Sequence, residues 1–245
     1  MAQFDTVSSV GVGARAQIDA GLRAHMNKVY GLMSVAMLVT AGVAWAVGTS
    51  DQLFSFLRNP ATGSMTILGW VAMFLPLIMV FAFGALVNRM SAAAAQLFFY
   101  AFAAAMGLSL AWIFQVFTGV SIAQTFLITA IAFASLSLYG YTTKRDLSAM
   151  GTFLMMGLVG LLVAMVVNIF IASSALAFAI SVIGVLIFAG LTAYDTQRIK
   201  ADYIQHAVAA DQEWLAKSAI MGALNLYLDF INLFMFLLQF MGNRE

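Results

Sequence analysis

The stretch Ala219–Phe240, AIMGALNLYLDFINLFMFLLQF, is apolar over the length of a membrane span yet carries an aspartate, Asp229, near its middle. A helix of about 20 residues crosses the roughly 30 Å hydrocarbon core of a bilayer. A carboxylate in that core costs about 2.5–3.5 kcal/mol even on the lenient insertion scale, so it marks an ion path, a proton relay or a partner charge. Asn225, Asp229 and Asn232 recur at i, i+4 and i+7 and therefore share one helical face. Facing lipid would leave these groups unsatisfied, so the face is expected to point into a bundle. The preceding apolar stretch, Ser174–Tyr194, runs directly into Asp195. The other eight of the ten acidic residues (Asp5, Asp19, Asp51, Asp146, Asp202, Asp211, Glu213 and Glu245) fall in polar tails or connections.

Working outward, the 245 residues are 63% hydrophobic and 9% charged, against roughly 25% charged in a soluble domain. Such a chain cannot cover a soluble surface and is read as an all-α integral membrane protein. Seven spans are expected: Val29–Gly48, Ser64–Val87, Ala92–Phe117, Ser121–Tyr141, Gly151–Ile171, Ser174–Tyr194 and Ala219–Phe240. Residues 1–28 form a polar tail, loose or lying at the membrane surface, and 29–245 form the transmembrane domain. The charged leader and full length of the first span argue for a retained anchor rather than a cleaved signal. With the N-terminus inside, nine of the eleven Lys and Arg residues lie on the cytoplasmic side, and Arg58 and Arg244 lie opposite. That is the positive-inside pattern, and Trp45, Trp70 and Trp112 then fall near the outer ends of their spans as an interfacial belt. The C-terminus is accordingly expected on the far side.

The absence of cysteine excludes disulfides, thiolate metal sites and thiol catalysis. A net charge of +1 excludes a basic nucleic-acid surface. The sixteen methionines form no ligand ladder and read as core filling. His25 and His206 lie in polar segments, and there is no HExxH. A retinal pigment needs a lysine inside the last helix, where this chain has Lys217 only at the edge. The expectation is therefore neither an enzyme nor a cofactor protein.

Taken alone, Asp195 fits a border residue that snorkels to water or caps a turn, and Asp229 fits a structural hydrogen bond to a neighbouring helix. A shared site is the third reading. It faces a geometric difficulty, because Asp229 lies about 15 Å beyond Ala219 by the 1.5 Å rise, whereas Asp195 lies at the end of its expected span. Pairing requires the sixth helix to continue past Arg198 inside the protein, or the seventh to start late. Either implies a water-filled cavity open to the cytoplasm.

Gly190–Lys200 (GLTAYDTQRIK) and Leu226–Gly242 (LYLDFINLFMFLLQFMG) resemble the last two helices of the Bax-inhibitor family, the transmembrane BAX inhibitor motif proteins and their bacterial relatives. Asn88–Leu110 (NRMSAAAAQLFFYAFAAAMGLSL) and Tyr139–Gly151 (YGYTTKRDLSAMG) resemble its second-to-third and fourth-to-fifth connections. The resemblance implies a seven-helix bundle with the last helix central. It also implies a pH-sensitive calcium leak controlled by two hydrogen-bonded aspartates, onto which Asp195 and Asp229 map. An arginine latch near the third helix has Arg89 as its nearest match. Some bacterial relatives are instead linked to a membrane-anchored quality-control protease, so a regulator of such a protease is the alternative. The resemblance and the compact loops suggest a bacterial inner membrane.

Two carboxyl groups held together in a low-dielectric bundle cannot both ionise cheaply, so they share a proton and titrate as a unit. Protonated, they pin the sixth helix to the seventh; deprotonated, they repel each other and attract a cation. Calcium takes 6–8 oxygen ligands. Asp195 and Asp229, with Asn225, Asn232 and water, make a weak and partly hydrated site, suited to transient passage of Ca2+ rather than storage. The residues alone do not separate calcium from protons or sodium.

Overall fold

The structure, a computed structural model, describes residues 2–206 and 211–243, with side chains described from residue 18 onward. The described elements are helical apart from a single bridge between Arg58 and Met65. In chain order they are α1 (Ala2–Gly48), α2 (Asp51–Phe54), α3 (Ile67–Leu86), α4 (Ala92–Leu110), α5 (Ile113–Val116), α6 (Gly119–Thr142), α7 (Ser148–Ile171), α8 (Ser174–His206) and α9 (Gln212–Met241). Seven segments are long and apolar enough to cross a bilayer, with α4 and α5 together making one of them.

Side-chain caps explain where several helices begin. The Thr66 and Ser91 hydroxyls accept from the Gly69 and Ala94 amides, and the Thr118 hydroxyl and Asp211 carboxylate accept from the Ser121 and Trp214 amides. Each cap satisfies an amide that the first turn leaves without a helical partner. The α7–α8 turn is tight: Ala172 adopts φ 52, and the Asn168 side chain accepts from the Ser173 amide at 3.1 Å.

α9 runs through the centre, with 67% of its most apolar window buried against 11% for α7. It packs on α1, α4, α6 and α8, while α3 packs on α4 and α7 on α8 as an outer layer. The core follows from this order. Tyr227, Leu226, Leu233 and Leu238 of α9 are fully buried, as are Phe99 of α4 and Val29 of α1. The outer helices instead turn large apolar side chains outward, among them Ile67, Phe81, Ile169 and Phe170, which suits a lipid environment.

Two expected boundaries shift in ways that matter for the site. α8 does not stop near Tyr194 but continues to His206, and α9 begins at Gln212 rather than Ala219. The polar half of α8 stays helical because Thr192, Thr196, Ile199 and Tyr203 keep burying one face. The first helix likewise starts earlier than expected. From residue 18 it carries Leu22, His25 and Met26 into the core beside Ile199 and Tyr203, so His25 is buried rather than in a loose tail. The side chains of residues 1–17 lie outside the described residues.

Candidate functional site

α8 and α9 form an antiparallel hairpin whose register can be followed from the loop inward. Near the loop, the Ser218 hydroxyl donates to Asp202 Oδ2 at 3.2 Å. One turn deeper, Gly222 faces Ile199, whose Cδ1 would lie 3.1 Å from an added Cβ. Towards the far end, the Phe188 and Phe236 rings stack at 5.8 Å, and an added Cβ at Gly184 would meet Phe236 at 2.6 Å. Between these contacts the register brings the Asp195 and Asp229 carboxyl groups within hydrogen-bonding reach of each other. The extension of α8 to His206 makes this possible, because it places Asp195 well inside a long hairpin rather than at a helix end.

The two acids are not equivalent. Asp229 is buried, at 4% exposure, and its Oδ2 accepts no hydrogen bond from a described donor. Asp195 keeps 15% of its side chain exposed and has Arg198 Nη1 at 3.9 Å from Oδ1. The Arg198 side chain is 64% exposed, so this i,i+3 pair is a weak surface attraction rather than a clamp. Two ionised carboxylates have no donor between them, so a hydrogen bond across the pair requires one proton.

Close backbone approaches hold the Asp195 segment. Gly140 of α6 lies against the Ala193 carbonyl oxygen, and Gly151 of α7 lies under the Tyr194 ring. Just beyond, Gln197 ties α8 to the α6–α7 connection: its Oε1 accepts from the Leu147 amide and its Nε2 donates to the Arg145 carbonyl, both at 2.8 Å. Lys200 Nζ donates to the Tyr141 carbonyl at 2.7 Å.

Two sets of hydroxyl groups tie α8 and α9 to the neighbouring helices. Tyr30 OH lies 2.5 Å from Ser137 Oγ, which lies 2.8 Å from Thr196 Oγ1, which donates to the Thr192 carbonyl at 2.8 Å. This line of hydroxyls reaches α8 at the residue next to Asp195. On the other side of α9, the fully buried Tyr227 hydroxyl lies 2.7 Å from Thr40 Oγ1, itself 2.8 Å from the Ala103 carbonyl. The Phe99 and Phe102 rings meet Tyr227 edge-on, at 5.7 and 5.8 Å. Tyr227 thus fixes the turn of α9 that carries Asp229 against α1 and α4. The sequence signal for these groups is a hydroxyl inside an apolar run, which is too common to single them out.

The remaining expected residues make no side-chain hydrogen bond or ion pair to either aspartate among the described residues. Asn232 donates to the Leu228 carbonyl of its own helix at 2.8 Å, and Asn225 is half-buried with no side-chain hydrogen bond to a described residue. Arg89 is exposed in the turn before α4, and its amide donates to the Leu86 carbonyl at 2.8 Å. It makes no ion pair with Asp195 or Asp229, so the expected latch is not engaged in this arrangement; the cation beside the pair is Arg198. The corner after Arg89 is instead held by Glu213, which accepts from the Ala92 amide at 2.8 Å and pairs with Lys217 at 3.4 Å. Among the described residues, no three His, Asp or Glu side chains come together as a metal cage.

The model of the family described as Inhibitor of apoptosis-promoting Bax1 matches residues 22–245. The chain belongs to the Bax inhibitor family. This Bax inhibitor chain is 44% identical over 226 residues to the inner membrane protein YbhL of Escherichia coli, covering 92% of this chain and 94% of that one. It is 43% identical over 227 residues to an uncharacterized protein of Rickettsia prowazekii, covering 93% and 92%. A Streptococcus pyogenes protein described as an uncharacterized membrane protein is 34% identical over 231 residues, covering 94% and 96%. The seven candidate spans and the family membership together make this a multi-pass membrane protein.

Proposed function

We propose that this Bax inhibitor protein is a slow, pH-sensitive leak pathway for cations, with calcium as the passenger, gated by the Asp195–Asp229 pair. It sits in the inner membrane with its N-terminus on the cytoplasmic side, and it carries out no covalent chemistry. The observation that supports this reading is the meeting of the two acids inside the α8–α9 hairpin, one buried in the central helix and the other reaching towards water.

With a proton on the pair, the carboxyl groups hydrogen-bond and α8 is pinned to α9. When the proton leaves, like charges at close range repel in a site where low dielectric amplifies the repulsion. The pin loosens, and the same oxygens attract a cation. Two carboxylates are few for calcium, so the ion keeps most of its water and passes rather than stays. Calcium flux is therefore expected to rise with pH over the range in which the pair loses its proton.

Calcium flux into liposomes holding the purified protein, measured across a pH series, tests the proposal. Substituting Asp195→Asn together with Asp229→Asn is expected to abolish the pH dependence, because the amides hydrogen-bond without exchanging a proton. An unchanged flux with unchanged pH dependence would overturn the gating role. In that event, binding to a membrane-anchored protease through the tail of residues 1–28 or an exterior helix face becomes the reading to pursue.

A further inference from the structure

α1 and α6 do not close against each other at the end of the bundle that holds Arg23. A crevice of about 500 Å3 separates them, walled by Met26 of α1 and by Phe133 and Leu138 of α6, with Arg23, Asn27 and Tyr141 at its polar end. The volume lies within the range of ligand pockets, about 300–1,000 Å3. Its depth follows from the helices. Arg23 and Tyr30 are about 10 Å apart along α1 by the 1.5 Å rise, and the hydrogen-bonded Tyr30 and Ser137 hydroxyls, at 2.5 Å, bridge the gap at the deeper level. The crevice is therefore charged at one end, apolar along its walls, and set between two membrane-spanning helices.

The rim is basic. Arg23, the cation that lines the crevice, is exposed and in no ion pair among the described residues, and Lys144 and Arg145 are exposed in the connection that follows α6. Lys200 Nζ adds a further cation, 5.1 Å from the centre of the Tyr141 ring. The acids of the α6–α7 connection and the end of α8 are engaged elsewhere: Asp146 accepts from the Ser148 amide at 2.9 Å, and Asp202 bonds Ser218 and His206, each at 3.2 Å. Among the described residues, Asp19, exposed one turn before Arg23 on α1, is the acid left to oppose Arg23.

We infer that this crevice binds an anionic phospholipid from the leaflet on the Arg23 side, with the phosphate at Arg23 and an acyl chain along Met26, Phe133 and Leu138. An apolar seam between membrane helices is bathed by lipid, and the charge at its rim selects among lipids. Basic pockets between transmembrane helices hold anionic head groups in this way. A free phosphate would meet Arg23 but leave the walls uncovered. The inference is independent of the cation pathway, since it uses neither aspartate.

The test uses the full-length protein in detergent, offered equal amounts of phosphatidylglycerol and phosphatidylcholine, with retained lipids counted by native mass spectrometry. Phosphatidylglycerol is expected to be retained preferentially. Arg23→Gln, at an exposed position that leaves packing intact, is expected to lower its retention about fivefold, as follows from about 1 kcal/mol per basic residue at a membrane surface. Ala134→Trp, which fills the crevice from an exposed wall position, is expected to lower retention of both lipids, and Arg58→Gln at the far end is expected to change nothing. Equal retention of the two lipids by the wild type would overturn the inference. So would an Arg58→Gln effect as large as that of Arg23→Gln, or displacement of the lipid by glycerol phosphate alone.

Discussion

Gly140 of α6 and Ala193 of α8 meet backbone to backbone, so closely that a Cβ added at Gly140 would overlap the Ala193 carbonyl oxygen. Rigid backbone on both sides leaves nothing that can swing away. Gly140→Ala is therefore expected to push α6 from α8 beside Asp195 and to lower stability by about 1–3 kcal/mol, the usual range for overpacking. Gly160→Ala on α7 is the control, because an added Cβ there meets nothing within 4 Å. Thermal unfolding in detergent checks both, with a lower midpoint for Gly140→Ala and an unchanged or raised one for Gly160→Ala.

The Tyr227–Thr40 hydrogen bond, at 2.7 Å, ties the central helix to α1. Side-chain hydrogen bonds between membrane helices average about 0.6 kcal/mol in double-mutant cycles. Tyr227→Phe keeps the ring between Phe99 and Phe102 and removes the hydroxyl alone, so a loss of about 0.5–1 kcal/mol is expected. Thr40→Val also removes the contact to the Ala103 carbonyl and is expected to cost more. The double variant should cost less than the two singles added together. Strict additivity in unfolding free energies would show that the two hydroxyls do not interact.

The spans were legible in the sequence because lipid-facing helices must be apolar for their whole length, and Asp195 and Asp229 stood out as candidates because they break that rule. The far end of α8 was not. Gln197, Arg198, Lys200 and Asp202 read as a polar connection, yet Thr192, Thr196, Ile199 and Tyr203 bury a continuous stripe that keeps the helix going to His206. That spacing resolves the depth difficulty, since a helix half outside the lipid can still be inside the protein. The hydroxyls of Tyr30, Ser137 and Thr196 were illegible for a different reason. A serine or threonine in a helix can satisfy itself on the carbonyl four residues back, as Thr129 does on Thr125 at 2.7 Å, so nothing local announces a partner on another helix.

Asp146 lies outside the spans, in the α6–α7 connection, fully exposed. Hydrogen bonds from the Ser148 side chain and amide hold its carboxyl below the ordinary carboxylate range. A group depressed in the folded state contributes stability above its unfolded value of about 3.9 and loses it as pH falls through the folded value. Stability between pH 5 and pH 8 is accordingly expected to be indifferent to this contact. Ser148→Ala removes one of the two donors, so the Asp146 carboxyl should titrate at a higher pH than in the wild type. Carbon-detected NMR of the aspartate side chains checks this, and an unmoved titration would show that the amide alone sets it.

Gln197 supplies both ends of a tie that keeps the α6–α7 connection on α8, accepting from Leu147 and donating to Arg145. Leucine at this position matches the size but neither bond. Each hydrogen bond is worth about 0.5–1.5 kcal/mol net, so Gln197→Leu should raise the fraction of time the connection is open by about tenfold or more. Lys144 and Arg145, exposed within that connection, are the trypsin sites that report it. Where opening and closing are fast, cleavage follows the open population rather than global unfolding. Cleavage after Lys144 or Arg145 should therefore accelerate by that factor in Gln197→Leu, while the melting temperature moves much less. A rate equal to the wild type would mean that the Tyr139–Thr143 end of α6 and the Asp146 turn hold the connection without Gln197.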